Sequence, residues 1–179
     1  MTITDSSGKA RQALLYGIYA SAAQVNLLVP GATVAGLAVV TITLPDGGTI
    51  TTLVNIVETA PGIFTANATG QGVFAGQVVY VHADGSQTIV NSTGAISLAG
   101  SEQVYLVLYG TGLGDAKSVT ASVNGASVPV IYFGAQEGSA GLDQINVGPL
   151  PASLAGAGVV KLVIIADGQT ANTVTLNIQ

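Results

Sequence analysis

Runs of alternating apolar and polar residues, broken by Asp-Gly turns, constrain the fold of this chain more than any other feature. Residues 39–44 alternate with a period of two, Pro45–Gly48 interrupts them, and residues 49–57 resume the alternation. Asp-Gly between two such runs is a strong hairpin signal, because both residues tolerate positive φ. The same arrangement recurs at Asp84-Gly85 and Asp167-Gly168. Many short strands separated by turns predict an all-β fold, built as antiparallel sandwiches or a barrel.

The composition excludes several functional classes. Only 7% of residues are charged and only four are Lys or Arg, which is too few for a nucleic-acid-binding surface. Without cysteine there is no disulfide, thiolate nucleophile or cysteine zinc site, and the single His82 excludes a histidine-rich metal site. The charge-free stretch between Arg11 and Asp46 is interrupted by polar residues and a proline, so we expect no membrane span. We also expect no metal and no cofactor.

The N-terminal residues allow a second interpretation. Lys9 and Arg11, the apolar residues 13–20 and the triplet Ala20-Ser21-Ala22 together fit a secretory signal peptide. The same residues also fit an internal repeat, which places them in the fold.

The repeat consists of two segments with the same order of residues. In the first copy the shared residues are Tyr16, Gln24-Val25-Asn26, Gly36, Val39-Val40, Asp46-Gly47 and Asn55-Ile56. In the second copy they are Tyr132, Gln144-Ile145-Asn146, Gly156, Val159-Val160, Asp167-Gly168 and Asn177-Ile178. The match predicts two copies of one β unit.

The two copies are unequal in length at their N-terminal ends. Two further predicted strands, residues 103–109 and 118–123, precede Tyr132, whereas only fifteen residues precede Tyr16. We therefore predict two immunoglobulin-like antiparallel β-sandwiches, the first of which is incomplete at its N-terminus. The predicted divisions are an incomplete sandwich over residues 1–58, a linker with a β-hairpin over residues 59–97, and a second sandwich over residues 98–179.

An incomplete sandwich leaves an apolar groove and unpaired backbone groups. Covering that groove is favourable by about 25 cal/mol per Å² of apolar surface. The middle segment, residues 2–12 or another chain must therefore fill the gap. We expect the groove to be lined by Tyr16, Ile18, Gln24, Asn26 and Leu28. The candidate donors of a strand from another copy are Met1–Arg11 and Thr173–Gln179.

Five motifs that occur in order give the chain a family resemblance. They are Ala60-Pro61-Gly62-Ile63-Phe64-Thr65, Tyr109-Gly110-Thr111-Gly112-Leu113-Gly114, Val123-Asn124-Gly125, Gly141-Leu142-Asp143-Gln144-Ile145-Asn146-Val147 and Asn172-Thr173-Val174. Together they resemble the uncharacterised Solibacter-type C-terminal domain of large secreted proteins of soil bacteria, whose second half is similar to IPT/TIG immunoglobulin-like modules.

This resemblance covers the chain from roughly Tyr16 to its end. It implies export, an extracellular or cell-surface location and no known catalysis, and it carries no functional residues over. The chain departs from the family pattern at its N-terminus, where family members usually have a further pair of strands before the first Gln-x-Asn segment.

The candidate catalytic motifs are weak. His82, Asp84 and Ser86 supply the three side-chain types of a hydrolytic triad, but the Asp84-Gly85 turn interrupts the geometry that a triad requires. The Gly110-x-Gly-x-Gly114 motif is not surrounded by a βαβ unit, which favours a bend over a dinucleotide loop. We therefore predict that the chain is not an enzyme.

The remaining candidates for binding are scattered acids and tyrosines. The acids Asp115, Glu137 and Asp143 could bind calcium, but the interpretation that we favour is that they are solvated turn residues. The tyrosines could stack on sugar rings, but the interpretation that we favour is that they pack in the sandwich core or at its edge. They are Tyr16, Tyr19, Tyr105, Tyr109 and Tyr132.

These observations predict a non-enzymatic extracellular structural protein that self-associates. Its incomplete sandwich would accept a strand from a neighbouring copy, and head-to-tail contacts of this kind do not close and give filaments or layers. The predicted partner is thus a homo-oligomer or homopolymer. The alternative is a carbohydrate- or cell-wall-binding module of a secreted protein, with polysaccharide as its partner.

Overall fold

The computed structural model describes residues 1–100 and 102–179. Strands contain 54% of the residues, which confirms the predicted all-β class. The chain forms two compact units, Met1–Glu58 (unit 1) and Thr59–Gln179 (unit 2).

Unit 1 contains six strands and a short 3₁₀ helix at Ala20–Ala22. The strands are β1 (Thr2–Thr4), β2 (Ala10–Gln12), β3 (Leu14–Tyr19), β4 (Gln24–Leu28), β5 (Gly36–Thr43) and β6 (Thr49–Ile56). Four of them form an antiparallel sheet in the order β2-β1-β5-β6, and β3 and β4 form a separate hairpin. Unit 1 thus has one layer of four strands and one of two.

Unit 2 contains twelve strands and a second 3₁₀ helix at Ala152–Leu154. The strands are β7 (Gly62–Ile63), β8 (Gly76–Val81), β9 (Gln87–Asn91), β10 (Ala95–Ile96), β11 (Gln103–Thr111), β12 (Val119–Val123), β13 (Ala126–Val128), β14 (Val130–Ala135), β15 (Asp143–Val147), β16 (Gly158–Ala166), β17 (Gln169–Thr170) and β18 (Val174–Ile178). One sheet has the order β10-β18-β16-β12-β13 with β17 beside β16, and the other has the order β14-β15-β11-β8-β9 with β7 beside β11. Both sheets contribute to one apolar core, so unit 2 is a β-sandwich.

The two units differ sharply in how much apolar surface they bury. Among the described residues, the core of unit 2 contains 24 buried apolar residues, with Leu106, Leu162 and Leu176 fully enclosed. The corresponding cluster in unit 1 contains only Ile3, Ala38 and Val40. Since burial of apolar side chains is the main stabilising term in folding, unit 1 is poorly stabilised by its own core.

The segment 59–97 does not form the linker that the sequence predicts, but belongs to unit 2. Both β7 and β8 pair with β11, and β10 runs parallel to β18. The Asn172 side chain accepts a hydrogen bond from Ile63 N at 2.7 Å and donates to the carbonyl oxygens of Ile63 and Gly70 at 2.9 and 2.8 Å. The predicted boundary at residue 97 therefore lies within a folded unit, because pairing between strands distant in sequence fixes this segment.

Two glycines explain the glycine-rich motif that begins at the end of β11. A Cβ atom on Gly110 would lie 2.4 Å from the carbonyl oxygen of Gly62, and one on Gly112 would lie 2.0 Å from that of Ala60. Only glycine permits this close approach of two backbones. The motif therefore serves the packing of β11 against residues 60–63.

Candidate functional site

Unit 1 and the C-terminal part of unit 2 are built from the same succession of strands. In unit 1 the hairpin β1–β2 leads to the hairpin β3–β4 and then to the long pair β5–β6. In unit 2 the hairpin β12–β13 leads to β14–β15 and then to β16 paired with β18. The first strand of each series pairs antiparallel with the long strand, as β1 with β5 and as β12 with β16. The internal repeat is therefore a repeat of topology as well as of sequence.

The registers of the long strand pairs also agree. Gly36 lies opposite Ile56 in unit 1, and Gly158 lies opposite Ile178 in unit 2. The two Asn-Ile pairs of the sequence repeat thus occupy equivalent places. The earlier match of Gly36 with Gly156 is wrong by two residues, because spacing in a turn does not fix the register of a strand.

The second hairpin of each unit carries the Gln-x-Asn motif in the same geometry. Gln24 Nε2 donates to Asn26 Oδ1 at 2.5 Å, and Gln144 Nε2 donates to Asn146 Oδ1 at 2.9 Å. In each motif the two amides are thus joined by one hydrogen bond on the same face of the strand.

Each of these hairpins also contains a bulge. The register shifts between Leu15 and Gly17 in β3 and between Val130 and Tyr132 in β14. The extra residue is therefore Tyr16 in unit 1 and Ile131 in unit 2. The sequence match of Tyr16 with Tyr132 is off by one, because Tyr132 lies opposite Asn146 and its counterpart opposite Asn26 is Gly17.

Among the described residues, the strand of unit 2 that lies beside β15 and has no counterpart in unit 1 is β11. In unit 2, β15 lies between β14 and β11, with Leu106 opposite Val147 and Leu108 opposite Ile145. In unit 1, β4 is the counterpart of β15, and among the described residues it pairs with β3 alone. We call the place beside β4 the β4 slot.

The missing strand leaves apolar side chains of the hairpin exposed. Leu27 packs against the small core of unit 1, so Val25, two residues away on the same strand, shares its inner face. Val25 is 37% exposed, whereas its counterpart Ile145, which has β11 beside it in the same sheet, is 1% exposed. Ile18, opposite Val25, is 68% exposed, whereas its counterpart Phe133 packs against the core of unit 2.

The five residues predicted to line a groove all lie on the hairpin β3–β4, but not on one face. Ile18 is on the inner face, opposite Val25. Gln24, Asn26 and Leu28 alternate with Val25 and therefore point to the opposite face. Tyr16 is the bulge residue. Sequence reasoning missed the inner-face residues Leu15, Val25 and Leu27. Their position follows from side-chain alternation if Gln24 and Asn26 are assigned to the outer face.

Both predicted donor segments are folded into their own units. In the N-terminal segment Met1–Arg11, β1 pairs with β2 and β5, and Ile3 is fully buried. In the C-terminal segment, β18 lies between β16 and β10, with Val174 and Leu176 fully buried. Neither segment is an extended tail in the isolated chain, because each forms a strand that is hydrogen-bonded to a neighbour on both sides.

Asp5 holds the turn between β1 and β2 in place. Its carboxylate accepts hydrogen bonds from the Ser7 hydroxyl at 2.6 Å, from the Val34 N–H at 3.1 Å, and from the backbone N–H groups of Ser7 and Lys9. It also forms an ion pair with Arg11. The Ser7 and Val34 bonds hold the pKa of Asp5 well below its ordinary value. This site is structural and ties the N-terminal hairpin to the loop before β5.

His82 does not join the triad that the sequence motif suggests. Its Nδ1 lies 3.1 Å from Glu102 Oε1 and its Nε2 lies 2.8 Å from Thr88 Oγ1. The order of hydroxyl, imidazole and carboxylate is that of a hydrolytic triad. The side chains of His82 and Glu102 are 33% and 39% exposed, however. Water therefore reaches the imidazole and the carboxylate, whereas the charged groups of a catalytic triad react in a site that excludes water. We assign the cluster to linking β9 with the start of β11.

The other two members of that sequence motif form a turn. The Asp84 carboxylate accepts hydrogen bonds from the hydroxyl and the backbone N–H of Ser86 at 2.7 and 2.9 Å. These bonds, the hydroxyl first, lower the pKa of Asp84. Asp143, considered above as a calcium ligand, accepts a hydrogen bond from Leu113 N at 2.8 Å. These two acids thus bind backbone groups of their own unit.

The tyrosines of unit 1 are the exposed aromatic residues of the β3–β4 hairpin. Tyr16 is 56% exposed and Tyr19 is 52% exposed. The ring of Tyr19 lies over Gly17, where an added Cβ would come within 3.0 Å of the ring. Tyr105, by contrast, donates its hydroxyl hydrogen bond to Gln103 Oε1 at 2.9 Å.

Within residues 1–100 and 102–179, no three His, Cys, Asp or Glu side chains are grouped closely enough to hold a metal ion. No helix in the same part of the chain has the length and apolar character needed to cross a bilayer. Comparison of the chain with protein-family models, with curated proteins and with solved structures found no match.

Proposed function

We propose that this chain is a non-enzymatic extracellular structural protein, a filament or surface-layer subunit, in which a β-strand from another copy completes unit 1 in the β4 slot. The observation that carries the proposal is the missing counterpart of β11. In unit 2, β11 pairs with one edge of β15, whereas in the part of the chain that the structure describes β4 pairs with β3 alone. Adding a strand to an exposed sheet edge is a common mode of protein association.

The exposed apolar surface of unit 1 supports association. Of the twenty exposed large apolar residues in the described part of the chain, thirteen lie in unit 1, although this unit contains fewer than a third of the residues. Patches of this kind on a soluble domain mark interaction surfaces. Their burial against another copy would stabilise the assembly by about 25 cal/mol per Å².

The distribution of charge also supports pairing between identical chains. No charged residue occurs between Arg11 and Asp46, a stretch that includes the whole hairpin β3–β4. Natural edge strands are usually protected from pairing by lysine, proline or a bulge. The bulge at Tyr16 lies on β3, so β4 lacks charge, proline and bulge alike.

Of the two donor segments, the N-terminal one is easier to release from its own unit. Withdrawal of Met1–Arg11 exposes one fully buried apolar side chain, Ile3, whereas withdrawal of Thr173–Gln179 exposes Val174, Leu176 and Ile178. At roughly 1.5–3 kcal/mol per buried side chain, the C-terminal segment costs about three times as much in lost apolar burial. By lost apolar burial alone, Met1–Arg11 is the easier of the two segments to release.

Light scattering and electron microscopy over a wide range of protein concentration test this proposal. We expect concentration-dependent association that Val25→Lys abolishes, because the substitution places a charge on the inner face beside the slot. Leu37→Lys is the matched control, since Leu37 is 60% exposed in the same unit on the long strand β5. A monodisperse monomer at every concentration would refute the proposal, as would equal effects of the two lysines.

The extracellular location is supported by the resemblance to secreted soil-bacterial domains, which remains part of this proposal. Labelling of intact cells with a membrane-impermeant reagent tests it directly. Labelling found only after lysis would overturn this part of the proposal.

A carbohydrate- or cell-wall-binding module is the second candidate, favoured by the exposure of Tyr16 and Tyr19 on one hairpin. Aromatic rings that are half exposed offer a face on which sugar rings stack. Retention on insoluble polysaccharide should then fall in Tyr16→Ala and Tyr19→Ala but not in Tyr132→Ala, which removes an exposed tyrosine of unit 2. Equal retention of all three variants would exclude this function.

A further inference from the structure

We infer that the β4 slot takes a single extended segment of a partner chain, not the edge of a second folded sheet, and that this segment carries the residue pattern of β11. The inference rests on the proposed function and specifies the chemistry of the donor. The observations that carry it are the layer arrangement of unit 1 and the seating of β11 on the equivalent strand of unit 2.

The layer arrangement excludes a folded sheet as the occupant. The sheet β2-β1-β5-β6 has four strands, whereas the layer formed by β3 and β4 has two. The inner layer beneath the slot is therefore already present. A sandwich such as unit 2 that paired one of its edge strands with β4 would also bring its second sheet. That second sheet would clash with β5 and β6, which already form the facing layer of unit 1. A lone extended strand fits because it adds to one layer only.

The residue pattern follows from the equivalence of β4 and β15. In unit 2, Leu106 and Leu108 of β11 lie opposite Val147 and Ile145, and all four are buried. Their neighbours Val107 and Tyr109 lie opposite Asn146 and Gln144.

Transferred to unit 1, this register places apolar donor residues opposite Leu27 and Val25. It places the intervening donor residues opposite Asn26 and Gln24, on the face where the amides pair with each other. The donor must therefore run antiparallel to β4, carry large apolar residues at alternate positions and bear no charge between them.

The sequence of β11 supplies such a strand, and nine residues suffice to test it. A synthetic peptide with the sequence of Gln103–Thr111 should bind the intact chain one to one, below the concentration at which the chain associates. Amide hydrogens of β4 should gain protection from exchange. The matched control peptide carries Leu106→Lys and Leu108→Lys, and the control protein carries Val25→Lys. Neither control combination should bind.

The same peptide also distinguishes failure of this inference from failure of the proposed function. Self-association that the peptide inhibits supports both. If the chain self-associates but the peptide neither binds it nor inhibits the association, the inference is overturned and the proposed function stands. Peptide binding by a chain that stays monomeric supports the slot but refutes a second copy as the donor. Absence of both association and binding overturns both.

Discussion

Replacing Asn172 by alanine should destabilise unit 2 by about 3 kcal/mol, because three hydrogen bonds with a net value of about 1 kcal/mol each are lost. The side chain accepts from Ile63 N and donates to two carbonyl oxygens, those of Ile63 and Gly70. All three bonds join residues more than one hundred positions apart in sequence, so they hold residues 63–70 against the loop before β18. A loss of this size lowers the melting temperature by roughly 10 °C for a unit of this length.

Urea unfolding, followed through amide signals assigned to unit 2, measures this loss without interference from unit 1. Asn91→Ala is the control, because the Asn91 side chain accepts exposed local bonds from Thr93 and a long one from Ser92. We expect the control to lose a few tenths of a kcal/mol, as surface substitutions usually do. A loss below about 1 kcal/mol in Asn172→Ala, or one equal to the control, would refute the reasoning that long-range pairing holds the segment 59–97 in unit 2.

Three further outcomes are expected. Unit 1 should lose stability as the pH falls below about 4, because the folded-state pKa of Asp5 is depressed and protonation then favours the unfolded chain. Amide exchange in residues 1–58 measures this loss, and Asp5→Asn should remove its acid dependence. Val174→Ala should cost about 2.5 kcal/mol in chemical denaturation, against about 1.5 kcal/mol for Val40→Ala, because the same side chain is removed from a large and from a small core, and equal costs would contradict the difference between the two cores. Gly112→Ala should lower the melting temperature well beyond Gly85→Ala, since both have positive φ but only the former places a Cβ 2.0 Å from a backbone oxygen.

Much of the fold was predictable because its signals are local. Each Asp-Gly pair singled out in the sequence lies in a turn between two paired strands, at Asp46-Gly47, Asp84-Gly85 and Asp167-Gly168. A strand can be recognised from its period-two pattern without knowledge of the strand it pairs with, since alternate side chains of a strand point to opposite faces. Strand bounds followed closely, as with the prediction of a strand over residues 103–109, which the structure extends to Gln103–Thr111.

The elements that the sequence concealed are those held by distant residues. Residues 2–12 look polar and turn-like, yet the Asp5 carboxylate and the pairing of β1 with β5 make them a hairpin. Residues 59–97 contain a hairpin signal but no signal for where it docks. Side-chain alternation alone gives no partner for a strand, and register errors of one or two residues reverse or shift its faces.

The residue pattern was enough to predict that this chain is built of β-strands and that one β unit is repeated. Which strand of unit 2 has no described counterpart in unit 1 became known only from the strand pairing, because it depends on which backbone lies beside β15. It also decided that Val25 and Leu27, and not the Gln-x-Asn amides, face the interior, since a core exists only once two layers meet. Local pattern specifies strands, and packing between strands far apart in sequence specifies which of them are missing.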